Sequence, residues 1–256
     1  MERTARLRFD GPMLLFLAIA VLGVGQFLIA IPYSIAAYPG GTRSDRTTTG
    51  YSWDQNWLSD LGCTEAWNGD DNQVAARYFN WSMIAFGSCM IVFFAGSLRA
   101  SEESPGVAAW VTSISGGLSG VGLVLLGCTP FDRYEAMHLF ALGVWIVAMM
   151  IASCSFSVQV FIRGGSTSLV FPIATLVLIV GVISYGLSSG TGNVMLMQKI
   201  CVGISLCWLL MVLWRIALTA IYIIVDSKTR YQIANEQATD YMRKIRSGHL
   251  VKRKAK

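Results

Sequence analysis

Residues 107–160 read VAAWVTSISGGLSGVGLVLLGCTPFDRYEAMHLFALGVWIVAMMIASCSFSVQV, and this stretch decides the fold class. Two apolar runs, 107–127 and 137–160, flank a short polar segment. A helix needs about 20 apolar residues to cross the hydrocarbon core of a bilayer, and each run is long enough. The polar segment between them therefore predicts a turn that joins two membrane-spanning helices.

The rest of the chain has the same character. Its 256 residues are 54% hydrophobic and 14% charged, and the mean hydropathy is +0.53, whereas soluble domains carry about 25% charged residues. Residues 1–225 are predicted to form a transmembrane domain with an outer lid loop at 35–76, and 226–256 a basic, helical cytoplasmic tail. The fold class is an all-α integral membrane protein, a bundle of six transmembrane helices with spans near 12–34, 78–98, 107–127, 137–160, 169–188 and 199–225.

Lysine and arginine are distributed unequally between the predicted connections. With the N-terminus inside, fourteen of them fall on the cytoplasmic side, nine of these in the tail, and five fall outside. Cytoplasmic connections of membrane proteins carry such an excess. We therefore expect a multi-pass protein of the cell (plasma) membrane with both termini in the cytoplasm. The last helix should extend into the cytoplasm, and the turn at 127–138 should lie on the outer face.

The basic tail accounts for the net charge of +5. A basic segment next to a membrane span is typical of contact with anionic lipid headgroups. Membrane lipids are therefore the expected partners, together with other membrane protein subunits that would dock on the tail. Nucleic acid is not expected.

The long outer loop contains a second polar stretch. Residues 54–63 predict a short helix with Asp54 as its N-cap and Gly62 as its stop. The apolar face of this helix, with Trp57, Leu58 and Leu61, would lie over the mouth of the bundle at the membrane interface. The loop is therefore predicted to be a folded lid.

Four polar residues around the lid are candidates for ligand binding. Asn56 and Ser59 lie in the lid helix, Asn80 lies where the second span begins, and Lys199 lies at the outer end of the sixth. For Lys199 two interpretations stay open: the side chain extends to the interface, or it faces the mouth of the bundle.

In the turn at 127–138, Asp132 and Glu135 have the spacing of a capping box, which predicts that Asp132 caps the fourth helix. His138 lies about one and a half turns into that helix. An ionisable residue inside a membrane span indicates a functional site. The structural alternative is a neutral histidine that is hydrogen-bonded to another helix.

Two cysteines, Cys63 and Cys128, are predicted on the outer face, each beside one of the polar stretches. In an oxidising compartment a disulfide between them would attach the lid to the turn. The alternatives are two free thiols, or a pairing that involves Cys201.

These polar residues also carry a family resemblance. The motifs Asn56-x-x-Ser59-Asp60-Leu61-Gly62 and Gly127-x-x-Pro130-x-Asp132, followed by His138, resemble the six-helix prokaryotic membrane proteins catalogued as domain of unknown function 998. The resemblance implies the six-helix fold and no established activity. A weaker similarity is to the Frag1/DRAM/Sfk1 group, some of whose members are linked to lipid anchors. Where the family often opens its last helix with an acid-base pair, this chain has Gln198-Lys199.

Two classes of function remain. The first is a lipid-binding or ligand-binding bundle, or an accessory subunit of a membrane complex, whose polar outer cluster holds the lid closed. The alternative is a membrane-embedded hydrolase or transferase, metal-dependent or not, acting on a lipid or lipid-linked substrate at the outer leaflet. In that enzyme Asp60, Asp132 and His138 would converge as metal ligands or as a general base oriented by carboxylates. No spacing identifies a particular metal or cofactor.

Overall fold

A computed structural model describes residues 11–98, 106–164 and 169–246. These residues contain six α-helices, each with a stretch long and apolar enough to cross a membrane. The prediction of an all-α, six-span membrane protein is therefore confirmed. Residues 1–10 and 247–256, which hold part of the predicted basic segments, lie outside the described residues. The helices are α1 (Gly11–Ala37), α2 (Gln73–Ser97), α3 (Val107–Cys128), α4 (Glu135–Arg163), α5 (Val170–Leu187) and α6 (Val194–Arg246).

The chain divides into two compact units, one that ends at Leu213 and one that begins at Trp214. The described residues of the second unit, as far as Arg246, are helical. Its side chains are exposed throughout 229–243, and Arg230 pairs with Asp226 one turn earlier, with 2.9 Å between Nε and Oδ2. All the features described below lie in the first unit.

Helices α2 and α3 approach each other at backbone distance. A Cβ atom added at Gly87 would lie 2.5 Å from the Gly120 carbonyl oxygen, and one added at Gly120 would lie 2.7 Å from the Gly87 carbonyl oxygen. Gly116 lies against the ring of Phe94 in the same interface. Small residues allow this close approach between membrane helices. Gly116 and Gly120 therefore serve the packing of α3 against α2.

Helix α6 is joined to α4 and α5 by side chains instead. The buried indole of Trp208 donates a hydrogen bond to Thr175 Oγ1 on α5 (3.0 Å), and that hydroxyl lies 2.6 Å from Ser157 Oγ on α4. Helix α6 thus meets α4 and α5 through polar side chains, whereas α2 and α3 meet at backbone distance.

The lid, residues 38–72, connects α1 to α2. It contains one regular element, a 3₁₀-helix at Leu58–Gly62. Isolated β-bridges pair Gly40 with Thr49 and Glu65 with Asp71, so the loop folds back on itself twice. The prediction of a folded lid is confirmed, and the lid places the 3₁₀-helix at the end of the bundle where α2, α4 and α6 begin.

Candidate functional site

Asn56 and Asp60 form the buried centre of the lid. The side-chain amide of Asn56 donates to the Gly41 carbonyl (3.0 Å) and to Asp60 Oδ2 (3.1 Å), and its Oδ1 accepts the Ser52 N–H (2.9 Å). Asp60 Oδ2 also accepts the backbone N–H of Trp57 (2.8 Å). The hydrogen-bonding groups of Asn56, a predicted ligand-binding residue, are thus engaged inside the lid.

The predicted cap of the lid helix is wrong. The 3₁₀-helix begins at Leu58, after Trp57, and Asp60 reaches back to the Trp57 N–H. Asp54 is exposed and accepts the Ser52 hydroxyl (2.7 Å). In a capping box, the carboxylate three residues after the cap accepts the backbone N–H of the cap residue. Asp60, and not Asp54, is therefore the acidic residue that caps this helix. The predicted stop at Gly62 is confirmed.

Burial raises the pKa of Asp60 above its usual value. Hydrogen bonds from the Asn56 side chain and from the Trp57 N–H, and the nearby charge of Lys199, oppose the effect without cancelling it. Burial likewise raises the pKa of Tyr38, the first residue of the lid, to about 12. The centre of the lid therefore favours uncharged groups.

Asp132 attaches the lid to the turn between α3 and α4. Its Oδ2 accepts the backbone N–H of Thr64 (2.9 Å) and the Thr64 hydroxyl (2.5 Å). Arg133 Nε donates to the same hydroxyl oxygen (3.1 Å). We call the pair Asp132–Thr64 the turn clamp. The predicted capping box is therefore wrong: α4 begins after Tyr134, which has no side-chain cap, because the Asp132 carboxylate is turned toward the lid.

A second attachment joins the lid to the start of α6. Gln198 Oε1 accepts the backbone N–H of Leu58 (2.8 Å), and Lys199 Nζ donates to the carbonyls of Asn56 (2.5 Å) and Met195 (3.1 Å). The Lys199 ammonium also lies 5.4 Å from the centroid of the Tyr51 ring. Lys199 therefore faces the lid, as the second of its two sequence interpretations had it.

His138 is buried near the start of α4. Its Nδ1 lies 2.7 Å from the carbonyl oxygen of Thr129, just after the end of α3, and its ring packs edge-on against Phe131 at 5.6 Å between centroids. A carbonyl oxygen only accepts, so Nδ1 is the nitrogen that carries the proton. At Nδ1 the structure therefore agrees with the structural alternative for His138, a neutral histidine that is hydrogen-bonded to another helix; the acceptor is the residue that follows α3.

A largely apolar cavity lies beneath the lid helix, between α1, α2, α3, α4 and α6. Leu58 and Ser59 of the lid line one end of it. Its polar lining groups belong to Ser59, Ser119, His138, Gln198 and Ser205, and no aspartate, glutamate, lysine or arginine is among the described lining residues. The rest of the lining is aliphatic, aromatic or methionine, and includes Phe79, Met83, Phe86, Met90, Leu123, Leu126, Leu142, Trp145, Met149, Val202, Leu206 and Leu209.

Residues 21–215 match the model of the family described as protein of unknown function DUF998. The chain belongs to this family. The matched region contains the lid, the turn clamp and the lining of the cavity. No curated protein and no solved structure gives a significant match, so the similarity to the Frag1/DRAM/Sfk1 group is not shown.

The three residues of the enzyme hypothesis are not gathered into one site. Asp60 and Asp132 both line a second, more polar pocket, together with Cys63, whereas His138 lines the apolar cavity. Within the described ranges, no group of three or more histidine, cysteine, aspartate or glutamate residues could hold a metal ion. The carboxylates serve the folding of the lid and its attachment.

The other predicted site residues are also placed. Asn80 donates from its side chain to the Gly62 carbonyl (3.0 Å), so α2 holds the last residue of the lid helix. Ser59 lines the cavity. Cys63 and Cys128 are free thiols: Cys63 is buried, with Sγ 3.6 Å from the Ser59 carbonyl oxygen, and Cys128 is exposed. The disulfide considered above is not formed.

Two residues that organise the site were not singled out as site residues. Thr64 gives no local signal, because a threonine in a polar loop is unremarkable. Gln198 does give one, because it is a polar residue near the start of an apolar helix. The cavity had no sequence signal, because leucine, phenylalanine and methionine line a void and fill a core alike.

Breaking the turn clamp should loosen the lid. We expect Asp132→Ala to increase the rate at which a water-soluble maleimide modifies Cys63 by about tenfold, the effect of losing a hydrogen bond to a charged group. The pKa of Cys63 is raised to about 12 by burial and by the charge of Asp132, so the thiol is poorly reactive while the lid is closed. Peptide mass spectrometry would read modification at Cys63 separately from Cys128.

Two variants control this experiment. Asp132→Asn retains an acceptor oxygen and should label more slowly than Asp132→Ala, and Glu135→Ala removes an exposed carboxylate three residues away. Equal labelling of Cys63 in wild type and Asp132→Ala would show that Asp132 does not hold the lid.

The raised pKa of Asp60 sets the sign of a pH effect. A raised folded-state pKa means that the stabilising contribution is fully present below the ordinary pKa of about 3.9 and is lost as pH rises through the folded value. The midpoint of thermal unfolding of wild type minus that of Asp60→Asn should therefore decrease as pH rises above about 4.

Asp54 provides a control of opposite sign. Hydrogen bonding to the Ser52 hydroxyl lowers the pKa of this exposed carboxyl. The contribution of Asp54 to folding stability is therefore present above its ordinary pKa and is lost as pH falls. A wild-type advantage over Asp60→Asn that grows with pH would contradict the assignment for Asp60.

Proposed function

We propose that this protein binds the hydrocarbon chain of a membrane lipid inside its helix bundle, beneath the lid. The observation that carries the proposal is the cavity itself, which is lined mainly by apolar side chains from five helices and the lid. An apolar cavity favours an apolar occupant over water.

The length of the cavity supports a chain as the occupant. Its lining runs from His138 to Met149 along α4 and from Gln198 to Leu209 along α6. Each run covers about 16 Å at about 1.5 Å of rise per residue. Half of the hydrocarbon core of a bilayer is about 15 Å thick, half of about 30 Å. A chain from one leaflet would therefore fill the cavity along its whole length.

The lid would control access to this cavity from the aqueous side. It is attached through the turn clamp and through Gln198 and Lys199, and its residues Leu58 and Ser59 close one end of the cavity. With the orientation that the distribution of lysine and arginine predicts, the lid faces outward in the cell membrane. The bound chain would then come from the outer leaflet.

The enzyme alternative lacks a comparable observation. Asp60 is engaged by Asn56 and Trp57, and Asp132 is engaged by Thr64. His138 lines a different cavity from either carboxylate. Binding, not catalysis, is therefore the function that this arrangement supports best.

Filling the cavity tests the proposal. Leu123 is buried on α3 and lines the cavity. We expect that Leu123→Trp will lose at least 90% (about tenfold) of a stoichiometric lipid that copurifies with the wild type, because a buried volume cannot hold both an indole and a chain. Native mass spectrometry of the detergent-solubilised protein measures the bound lipid.

Leu118→Trp is the matched control, because Leu118 lies on the same helix and is half exposed. It should retain the lipid. Leu142→Trp, at a second lining position on α4, should behave as Leu123→Trp does. Wild-type protein without bound lipid, or lipid retained in both cavity-filling variants at unchanged stoichiometry, would contradict the proposal.

A further inference from the structure

The polar groups of the cavity are not distributed evenly along it. The two deep hydroxyls are engaged with their own helices: Ser119 Oγ donates to the Gly116 carbonyl (2.7 Å) and Ser205 Oγ to the Cys201 carbonyl (2.9 Å). The deeper part of the cavity therefore presents hydrocarbon and satisfied hydroxyls. Polar groups that remain available lie at the lid end.

His138 presents an acceptor there. With its Nδ1 proton donated to Thr129, the neutral ring has a lone pair on Nε2. Nε2 has no hydrogen-bond partner within the described residues, and it is not among their fully enclosed polar atoms that lack one. It is therefore accessible to an occupant of the cavity that His138 lines.

Gln198 and Ser59 present donors. The Oε1 atom of Gln198 accepts the Leu58 N–H, which leaves the side-chain NH₂ group without a partner among the residues that the structure describes. The Ser59 hydroxyl is also without a partner there. Both residues line the cavity at the end where the lid meets α6.

No ionised side chain accompanies the polar groups of His138, Gln198 and Ser59 in the described lining. The described lining contains no aspartate, glutamate, lysine or arginine. The nearest cation in sequence, Lys199, directs its ammonium to the carbonyls of Asn56 and Met195. A phosphate or carboxylate placed in the cavity would be buried without a counter-charge, which is strongly unfavourable.

We infer that the occupant is an uncharged amphiphile whose hydroxyl group lies at the lid end of the cavity, where it donates to His138 Nε2 and accepts from Gln198 or Ser59. A hydroxyl is both donor and acceptor, so one small group satisfies both sides of the site. The inference rests on the proposed function and names the chemical class of its lipid: a long hydrocarbon chain that ends in a small, neutral, hydroxyl-bearing head.

The enclosure of the site supports a small head. Ser59 belongs to the lid, and the residue before it, Leu58, is hydrogen-bonded to Gln198. A hydroxyl fits beneath this contact without breaking it. A phospholipid headgroup beneath the same lid would have to displace the Leu58–Gln198 hydrogen bond and would lack a cationic partner in the lining.

The test compares chains that differ only in their heads. The protein in nanodiscs is loaded with 1-bromohexadecane, whose bromine quenches the fluorescence of Trp145 in the cavity wall, and Trp145→Phe gives the background. Hexadecanol, hexadecyl methyl ether, hexadecane and hexadecanoate at alkaline pH are then used as competitors. Hexadecanol should compete best, by about tenfold over the methyl ether, which has no proton to donate.

The variant His138→Asn tests the acceptor role of His138 Nε2 separately from the Nδ1 hydrogen bond. The asparagine amide can still donate to the Thr129 carbonyl in place of Nδ1–H, but it has no counterpart of Nε2. The preference for hexadecanol over the methyl ether should fall about tenfold in this variant, and it should persist in Leu118→Trp. Ser59→Ala, which removes a hydroxyl without a partner, should lower the preference for hexadecanol over hexadecane.

The outcomes separate the two proposals. If 1-bromohexadecane does not quench Trp145 at all, the cavity does not bind chains, and the proposed function fails together with the inference. If it quenches and all four competitors displace it equally, chain binding stands and the inference is overturned. Strongest competition by hexadecanoate, or an unchanged preference in His138→Asn, would also overturn the inference.

Discussion

The burial of the Asp60 carboxylate is the constraint on which the rest of the site depends. A buried carboxylate must have its acceptors satisfied, and Asp60 Oδ2 meets this need with the Asn56 amide and the Trp57 N–H. These two bonds fix the 3₁₀-turn that follows. This 3₁₀-turn places Leu58 and Ser59 over the end of the cavity and directs the Leu58 N–H toward Gln198.

The cavity itself follows from unequal helix spacing. Glycines bring α2 and α3 to backbone contact, and Gly122 likewise lies against the backbone of Trp145 on α4. Helix α6 is held by the Trp208–Thr175 hydrogen bond on one side and by the lid at its start. The closely packed helices and the more distant α6 thus enclose a space whose walls are apolar because they are the core faces of membrane helices.

Much of the fold could be predicted from the sequence, because apolar runs of about 20 residues have few alternatives to a membrane helix. The lid was predictable from its turn residues and its polar composition. The local motifs were less reliable. Asp132 has the spacing of a cap, but its carboxylate is taken by Thr64, which is distant in sequence.

Distant pairing also bears on the three residues of the enzyme hypothesis. Asp60, Asp132 and His138 look like a catalytic set because each is a polar residue among apolar neighbours. In the structure each has a separate partner: Asn56, Thr64 and the Thr129 carbonyl respectively. The partner of each side chain comes from a different part of the fold, and a single sequence does not show which distant segments will meet. The free Nε2 of His138 depends on that pairing as well.

The most direct test of chain binding is a high-resolution map of the protein purified from its own membrane. We expect continuous, tube-shaped density between Phe86, Leu123 and Trp145, with its end beneath Ser59 and within hydrogen-bonding distance of His138 Nε2. A cavity filled by collapsed side chains, or one that holds only separate water molecules, would contradict it.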